Sequence, residues 1–438
     1  MSDGLAFDSL VKELHRVLDA LPDYRKGKNT QYSIKDAALG AFAVFFTQSP
    51  SFLAYQRTMQ QAKGRSNAES LFGVEQIPCD NQIRTLLDPL EPAQLFPVFH
   101  GVYQALDRCG ELAAFRALAG QLLIALDGTQ YFSSQDIGCD SCSQRTHRNG
   151  RVTFFHQVIT PVIVAPGNAD VIVLEPEFIT PQDGHQKQDC EQVAAKRWLA
   201  RNAEWFTHAT ILGDDLYCKQ PLCELLLSCG FNFILVCKPE SHKTLYAWIA
   251  TLESHGDLSQ VSIRRWNGRF HEVHTYRYAN EVPLRDGEDA LWVNWCELTI
   301  TKATDGTILY HNAFATKHHL DRKSIELVVQ AGRTRWKIEN ENTNILKTKG
   351  YHLEHNYGHG KQQLSAVLLT LNLLAFLFHT VLGWVDHKYH LLRQALSARQ
   401  TFFHDLQALT RYLLFDSWDR LLDFMIQGLE LMMTPDSS

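Results

Sequence analysis

No stretch of the 438-residue chain is dominated by Gly and Ser, or by Pro and Gln, so composition gives no reason for a disordered tract. Positive charge is not in surplus: 42 Lys and Arg stand against 48 Asp and Glu, a formal net charge of −6. That balance counts mildly against a nucleic-acid partner, because neutralising phosphates takes Lys and Arg. Net charge averages over a whole protein, however, and a basic groove can sit on an acidic body. The opening Met1-Ser2-Asp3-Gly4 lacks the basic stretch and apolar run of a secretory signal. The ten cysteines are scattered, some within apolar runs, as Cys237 is. They form no disulfide framework and point to reduced thiols in a cytoplasm. Residues 364–384 match the length of a membrane span, but they carry Asn372, His379, Thr370 and Thr380. The expectation is a buried helix in a large protein that does not enter a membrane.

What is present is ordinary globular material, 45% hydrophobic and 21% charged, enough for about two to four domains. Residues 1–115 read as a helical region: Phe7, Leu10, Leu14 and Val17 recur at helical spacing, and 37–46, 80–87 and 92–106 continue the pattern. Asn81-Gln82-Ile83-Arg84 opens a short helix that either packs or reads DNA. The texture changes at Leu122. The run Leu122-Leu123-Ile124-Ala125-Leu126 suits a strand buried on both faces, and it ends in Asp127-Gly128-Thr129. Residues 152–164 and 170–175 predict two more strands, 188–202 a helix, and 210–213 a short strand ending at Asp214. A helix over 220–228 and a strand over 231–237 follow. Residues 241–310 alternate in the β manner and form a β-rich insertion. Residues 313–316 resume the core, a long helix spans 322–349, and the tail 386–438 is again helical.

Three strands, helix, strand, helix, strand is the order of an RNase H-like core. The expected fold is therefore α/β: a mixed five-stranded sheet with helices in 116–240 and 311–385, interrupted by the 241–310 insertion and flanked by the helical regions 1–115 and 386–438. In such a sheet Asp127 and Asp214 end neighbouring strands, and Glu339 lies on the final helix, which packs against the same edge. Carboxylates that converge from distant positions are what two-metal phosphoryl transfer requires, and hard Mg²⁺ prefers a few of them together with water and phosphate oxygens. Each has a plainer reading. A strand-ending Asp before Gly is often a turn residue, and Glu339 can pair with Arg335 one turn earlier. Asp215 and Glu341 are rival acids.

These segments resemble the bacterial insertion-sequence transposases of the cut-and-paste group with a Tyr-Arg-Glu-Lys signature helix. Leu126-Asp127-Gly128-Thr129 is similar to the first acidic motif of that family and Gly213-Asp214-Asp215-Leu216-Tyr217 to its second. Arg335-Trp336-Lys337-Ile338-Glu339, with Leu346-Lys347 and Gly350, resembles the signature helix. Phe314-Ala315-Thr316 before it and Asn372-Leu373-Leu374-Ala375-Phe376 after it also fit, so the likeness spans about 120–380 in matching order. Two departures stand out: Gly332 occupies the signature tyrosine position, and Lys347 falls eight residues after Glu339 where seven is usual. The resemblance implies a transposase that cuts at transposon ends and transfers strands to target DNA, acting as an endonuclease. Asp127, Asp214 and Glu339 would hold Mg²⁺ or Mn²⁺, and Arg335 and Lys347 would contact phosphates. It further implies double-stranded DNA as partner (terminal repeats and target), terminal-repeat binding by the N-terminal helices, and a dimer in the synaptic complex. The alternatives are an inactive descendant that only binds DNA, and a zinc-stabilised binding protein whose acids are structural.

Cys139-x2-Cys142 is a zinc-knuckle spacing. His147, His156 and Cys190 are candidate partners, and the site is expected as Cys139, Cys142, His147 and Cys190, with His185 near the last. Arg145, Arg148 and Arg151 lie in the same loop, where Arg148 is a candidate DNA contact. His352, His355 and His359 are expected to serve structure or DNA rather than metal. Trp266, Trp292 and Trp295 fall in the insertion. The resemblance implies one aromatic there that stacks on a flipped base; the sequence does not choose among the three, and Trp292 is carried as the candidate DNA contact.

Overall fold

The computed structural model describes residues 4–26, 30–181, 189–396 and 398–432. Six helices come first: α1 (Phe7–Leu18), α2 (Ile34–Phe46), α3 (Phe52–Met59), α4 (Ala62–Phe72), α5 (Asp80–Leu87) and α6 (Phe96–Arg108). Ser33 and Ser51 begin α2 and α3 by accepting from the amides of Asp36 at 2.8 Å and Ala54 at 3.0 Å, which satisfies donors that have no partner inside the helix. Because α2 is apolar on every side, it can only be an interior helix, and all but one of its residues are buried. Its main neighbour is α12 (Leu364–Val385), at the other end of the chain. α12 is the one helix among the described residues long and apolar enough to cross a bilayer, and most of it is buried inside the protein.

α12 leads into α13 (His387–Ala395), α14 (Arg399–Tyr412) and α15 (Trp418–Gly428), which fold back onto the first helices. Asn67 of α4 fastens this joint. Buried, it donates to the carbonyls of Thr410 and Leu413, both at 2.6 Å, and accepts from the Phe415 amide at 2.9 Å. Asn67→Ala would strand three backbone groups, two of them buried, and should lower stability by about 3 kcal/mol, read as an earlier unfolding midpoint in urea. An unchanged midpoint would mean that the joint carries no load. α5 also packs inward, burying Ile83, Leu86 and Leu87, and Arg84 donates to the Tyr357 carbonyl at 3.0 Å.

Between these helices lies the α/β part. In chain order it comprises β1 (Arg116–Ala117), β2 (Gln121–Ala125), β3 (Gly128–Ser134), β4 (Ser143–Thr146), β5 (Val152–Ile159), β6 (Val162–Val164), β7 (Ile172–Val173), β8 (Glu177–Ile179), α7 (Glu191–Asn202), β9 (Thr210–Gly213), α8 (Gln220–Ser228) and β10 (Asn232–Val236). Then come α9 (Lys243–His255), β11 (Ser259–Trp266), β12 (His271–Pro283), β13 (Trp292–Lys302), β14 (Ile308–Thr316), α10 (Ile325–Arg333) and α11 (Asn344–Thr348). The large mixed sheet runs β11-β12-β13-β14-β10-β9-β2-β6-β7, with β1 beside β2; β3, β5, β4 and β8 form a second, smaller sheet. β2, β9 and β10 are parallel, while β6 and β7 alternate in sense beyond β2.

Three features depart from the sequence expectation. The strand expected over 152–164 breaks at Thr160-Pro161, so that β5 joins the small sheet and β6 the large one. Residues 241–310 open with a helix, and their strands extend the large sheet rather than standing apart: β14 pairs with β13 along its length and with β10 through Phe314–Thr316. The long helix expected over 322–349 is interrupted. After α10, three-residue hydrogen bonds tighten the chain at Thr334 and Arg335, and a wider π-helical turn, Ile338–Thr343, precedes α11. Hydrophobic periodicity cannot separate these coils, which differ by less than one residue per turn. Gly332 is required by packing, because a Cβ there would stand 2.8 Å from Ile234 and 3.0 Å from Phe314. A tyrosine at this position has no room.

Candidate active site and a cysteine–histidine cluster

Asp127 and Asp214 are set by one register. β2 and β9 pair in parallel with Ala125 opposite Leu212, and each aspartate stands two residues beyond its partner in that rung. The ladder continues one step further, as the Leu126 amide donates to the Leu212 carbonyl at 2.9 Å. Both carboxylates therefore leave the same edge of the sheet on adjacent strands, about 5 Å apart in backbone. Asp214 turns the chain, its Oδ1 accepting from the Leu216 amide at 2.8 Å. Its neighbour Asp215 is occupied with structure: it accepts from the Lys238 amide at 2.8 Å and from the Ser241 hydroxyl, and lies 3.4 Å from His242 Nε2.

Glu339 stands on the π-helical turn, a distortion that recurs at functional sites. Two buried contacts hold this segment against the sheet. Asn342 donates to Thr160 Oγ1 at 2.9 Å, and the Thr160 amide donates to the Asp127 carbonyl. Lys337 donates from Nζ to the Ala165 carbonyl at 2.6 Å and to that of Asn168; burial depresses its pKa. The Glu339 side chain is half exposed and pairs with Arg335 at 2.8 Å. Glu341 faces Lys337, not the aspartates.

Sequence reasoning missed a fourth acid. Glu191 opens α7 and accepts from the Gly128 amide at 3.0 Å and the Tyr217 hydroxyl at 2.7 Å. A Cβ at Gly128 would collide with this carboxylate, so the Asp-Gly pair and the glutamate require one another. Nothing in the local sequence distinguishes Glu191 from any acid in the first turn of a helix.

The electrostatics register the gathering. Burial, then Glu191, pushes the Asp127 carboxyl up to about 7; Arg335 opposes this, and Glu339 and Asp214 add to it. Glu191 is also raised, by burial first and with Asp214 contributing. The groups acting on Asp127 are thus three carboxylates against one guanidinium. That is a local excess of negative charge of the kind a divalent cation relieves, and perturbed carboxyls cluster at functional sites, but among the described residues the acids do not close into one ligand group within 4.8 Å as the cysteine–histidine sets do.

The remaining expected residues are dispersed. Lys347 pairs with Glu354 at 2.8 Å. Arg148 is exposed in the β4–β5 turn, at the far end of the small sheet from Asp127. Trp292 does not join the acids. It begins β13, which runs parallel to β10, and so it lies towards the opposite edge of the sheet, where its ring packs on Trp248 with centroids 5.7 Å apart. Trp295 is buried. Trp266, 59% exposed, ends β11 in the part of the ladder that runs on past the carboxylate edge.

The expected zinc set is also corrected. Cys139 and Cys142 gather with His156 and His359, whereas His147 is exposed and bonds Thr153 Oγ1 at 2.8 Å. Cys190 is exposed at the start of α7, and His185 lies outside the described residues. Closeness in sequence favoured His147, but β4 carries it away from the knuckle and β5 brings His156 back in. His359 arrives from a loop anchored by Asp88, whose carboxylate accepts from the amides of Lys361, Gln362 and Leu364 at 3.0–3.2 Å. Gly360, at φ 71°, allows that close approach. His352 and His355 stay outside the cluster. No protein-family model matches the chain, and no curated protein does.

Proposed function

We propose that the chain is a DDE-type DNA transposase with an RNase H-like core, cutting DNA at transposon ends and transferring the strands to target DNA. The observation that carries this reading is the register of β2 and β9, which puts Asp127 and Asp214 side by side while Glu339 bears on Asp127. The order β7-β6-β2-β9-β10, with only β6 reversed, supports the core assignment.

Asp127, Asp214 and Glu339 would hold Mg²⁺ or Mn²⁺, which when bound supplies an activated water or 3′-hydroxyl and neutralises charge on the phosphate. Glu339 must first leave Arg335, which frees the guanidinium for a phosphate oxygen. Glu191 keeps the turn after Asp127 in place through Gly128 and Tyr217. The arms on either side lead away from the acids and carry exposed cations: Arg148 on the small sheet, Arg264 and Arg269 near Trp266 on the large one. Such residues bind backbone without reading sequence, and Trp266, exposed past the carboxylate edge, would be the aromatic to stack on an extruded base.

The test is incubation of the purified chain with Mg²⁺ and duplex DNA bearing the inverted repeats that flank its coding region. Nicking at the repeat ends is expected. Tight binding without any strand cleavage would support a DNA-binding descendant instead, and neither binding nor cleavage by folded protein would defeat both readings.

A further inference from the structure

We propose that Cys139, Cys142, His156 and His359 bind one structural Zn²⁺, and that this ion clamps the small β-sheet to the loop that follows the Glu339 segment. The four ligand atoms lie within 4.8 Å of one another. Sγ of Cys139 and Sγ of Cys142 are 3.8 Å apart, too far for a disulfide. Nε2 of His156 stands 3.6 Å from Cys139 and 3.5 Å from Cys142, and Nε2 of His359 is 3.6 Å from Cys142. Tetrahedral zinc with bonds of about 2.3 Å to sulfur and 2.0–2.1 Å to nitrogen puts sulfurs about 3.8 Å apart and sulfur about 3.6 Å from nitrogen. The side chains thus occupy the corners of the polyhedron that zinc requires, and they are the soft and borderline donors it prefers.

The surroundings fit a closed structural site. Cys142, His156 and His359 are buried. The Phe132 ring packs on His359, and the Tyr131 ring stacks on His156, so aromatic rings sheathe both histidine ligands, while Cys139 is half-buried. The buried Nδ1 of His359 has no hydrogen-bond partner among the described residues, and Nε2 is the ring nitrogen turned to the cysteines. A second group, Cys218, Cys237 and His242, offers three ligands among the described residues, short of a closed four-ligand sphere, so one zinc per chain is expected.

Cys142 and His359 are 217 residues apart. β3 begins directly after Asp127 and leads to the knuckle, while His359 follows the segment bearing Glu339. The ion therefore fastens the chain just downstream of the first acid to the chain just downstream of the last. It also fixes the root of β4, whose turn presents Arg148. The site itself does not rest on the phosphoryl-transfer reading, since metal content is measured on resting protein without DNA.

The full chain, purified without added metal or chelator, should contain about one zinc by elemental analysis, and zinc should leave with loss of thermal stability when a strong chelator is added. His359→Ala and Cys139→Ser should each lose most of the metal and melt several degrees lower, whereas His147→Ala and Cys190→Ser should keep it. If the ligand variants fail to fold, Co²⁺ substituted into the intact chain decides: a strong visible absorption of tetrahedral thiolate-bound cobalt is expected. Folded protein that purifies without metal and ignores chelation, full zinc in His359→Ala, or a cobalt spectrum without thiolate character would each overturn the assignment.

Discussion

Asp127→Asn or Asp214→Asn should reduce metal-dependent strand cleavage by about a thousandfold or more, with binding to repeat-bearing DNA retained and the unfolding midpoint not lowered. The expectation rests on position. Each aspartate lies just past the last rung of its strand, so neither side chain is needed to close the β2–β9 ladder. Asparagine keeps the volume and can still accept the Leu216 amide at position 214, so folding is preserved while the anionic oxygens are lost. Glu191→Gln offers the contrast. Its carboxylate accepts from Gly128 and Tyr217 through the same Oε1, an acceptor that glutamine keeps while losing the charge. A loss of about tenfold, smaller than that at either aspartate, is expected for a positioning residue. Full cleavage by Asp127→Asn would remove the acid centre as the site of chemistry, and unfolding of that variant would make the aspartate structural.

The second large effect is competition between protons and a divalent cation. The folded Asp127 carboxyl lies at about 7 against an ordinary 3.8, so between those values the native chain holds a proton that the unfolded chain has released. Stability then falls as pH rises from about 4 towards 7, and the deficit remains above that. A cation that needs the ionised form binds better over the same interval. In metal-free buffer, melting temperature should therefore drop between pH 5.5 and 8, and Mg²⁺ or Mn²⁺ should restore it at pH 8. At ten times its Kd an ion adds about 1.4 kcal/mol. Asp127→Asn should show a shallower pH slope and a smaller response to the ion. Identical slopes in the two proteins, or no response to either ion, would mean that burial of Asp127 serves the fold alone.

Much of this arrangement could be read from residue order, and the exceptions share a cause. The apolar run before Asp127 and the short strand before Asp214 were legible because strands buried on both faces leave continuous hydrophobic stretches. α12 was legible because its few polar residues suit an interior helix better than a bilayer. Partners were not legible. Alternation in 259–316 announces strands, and 313–316 reads as the return to the core, yet nothing there says that β11, β12 and β13 would extend the same sheet through β14. His359 was set aside and His147 preferred because spacing along the chain is a poor guide to a site closed across 217 residues. Glu191 needed the fold to bring α7 beside Gly128. The sequence could not choose among Trp266, Trp292 and Trp295, because β segments show which residues are aromatic whereas register decides which edge they occupy.

The mutual wrapping of α2 and α12 has a consequence for synthesis. α2, almost wholly apolar, leaves the ribosome more than three hundred residues before the helix that covers it. α1, α3, α4 and α5 also pack on α2, but at translation rates of about 5–20 residues per second the face reserved for α12 stays open for tens of seconds. Any ribosome that stops early releases a product that cannot hide it, so prematurely terminated copies are destined for chaperones and proteases rather than for partial function.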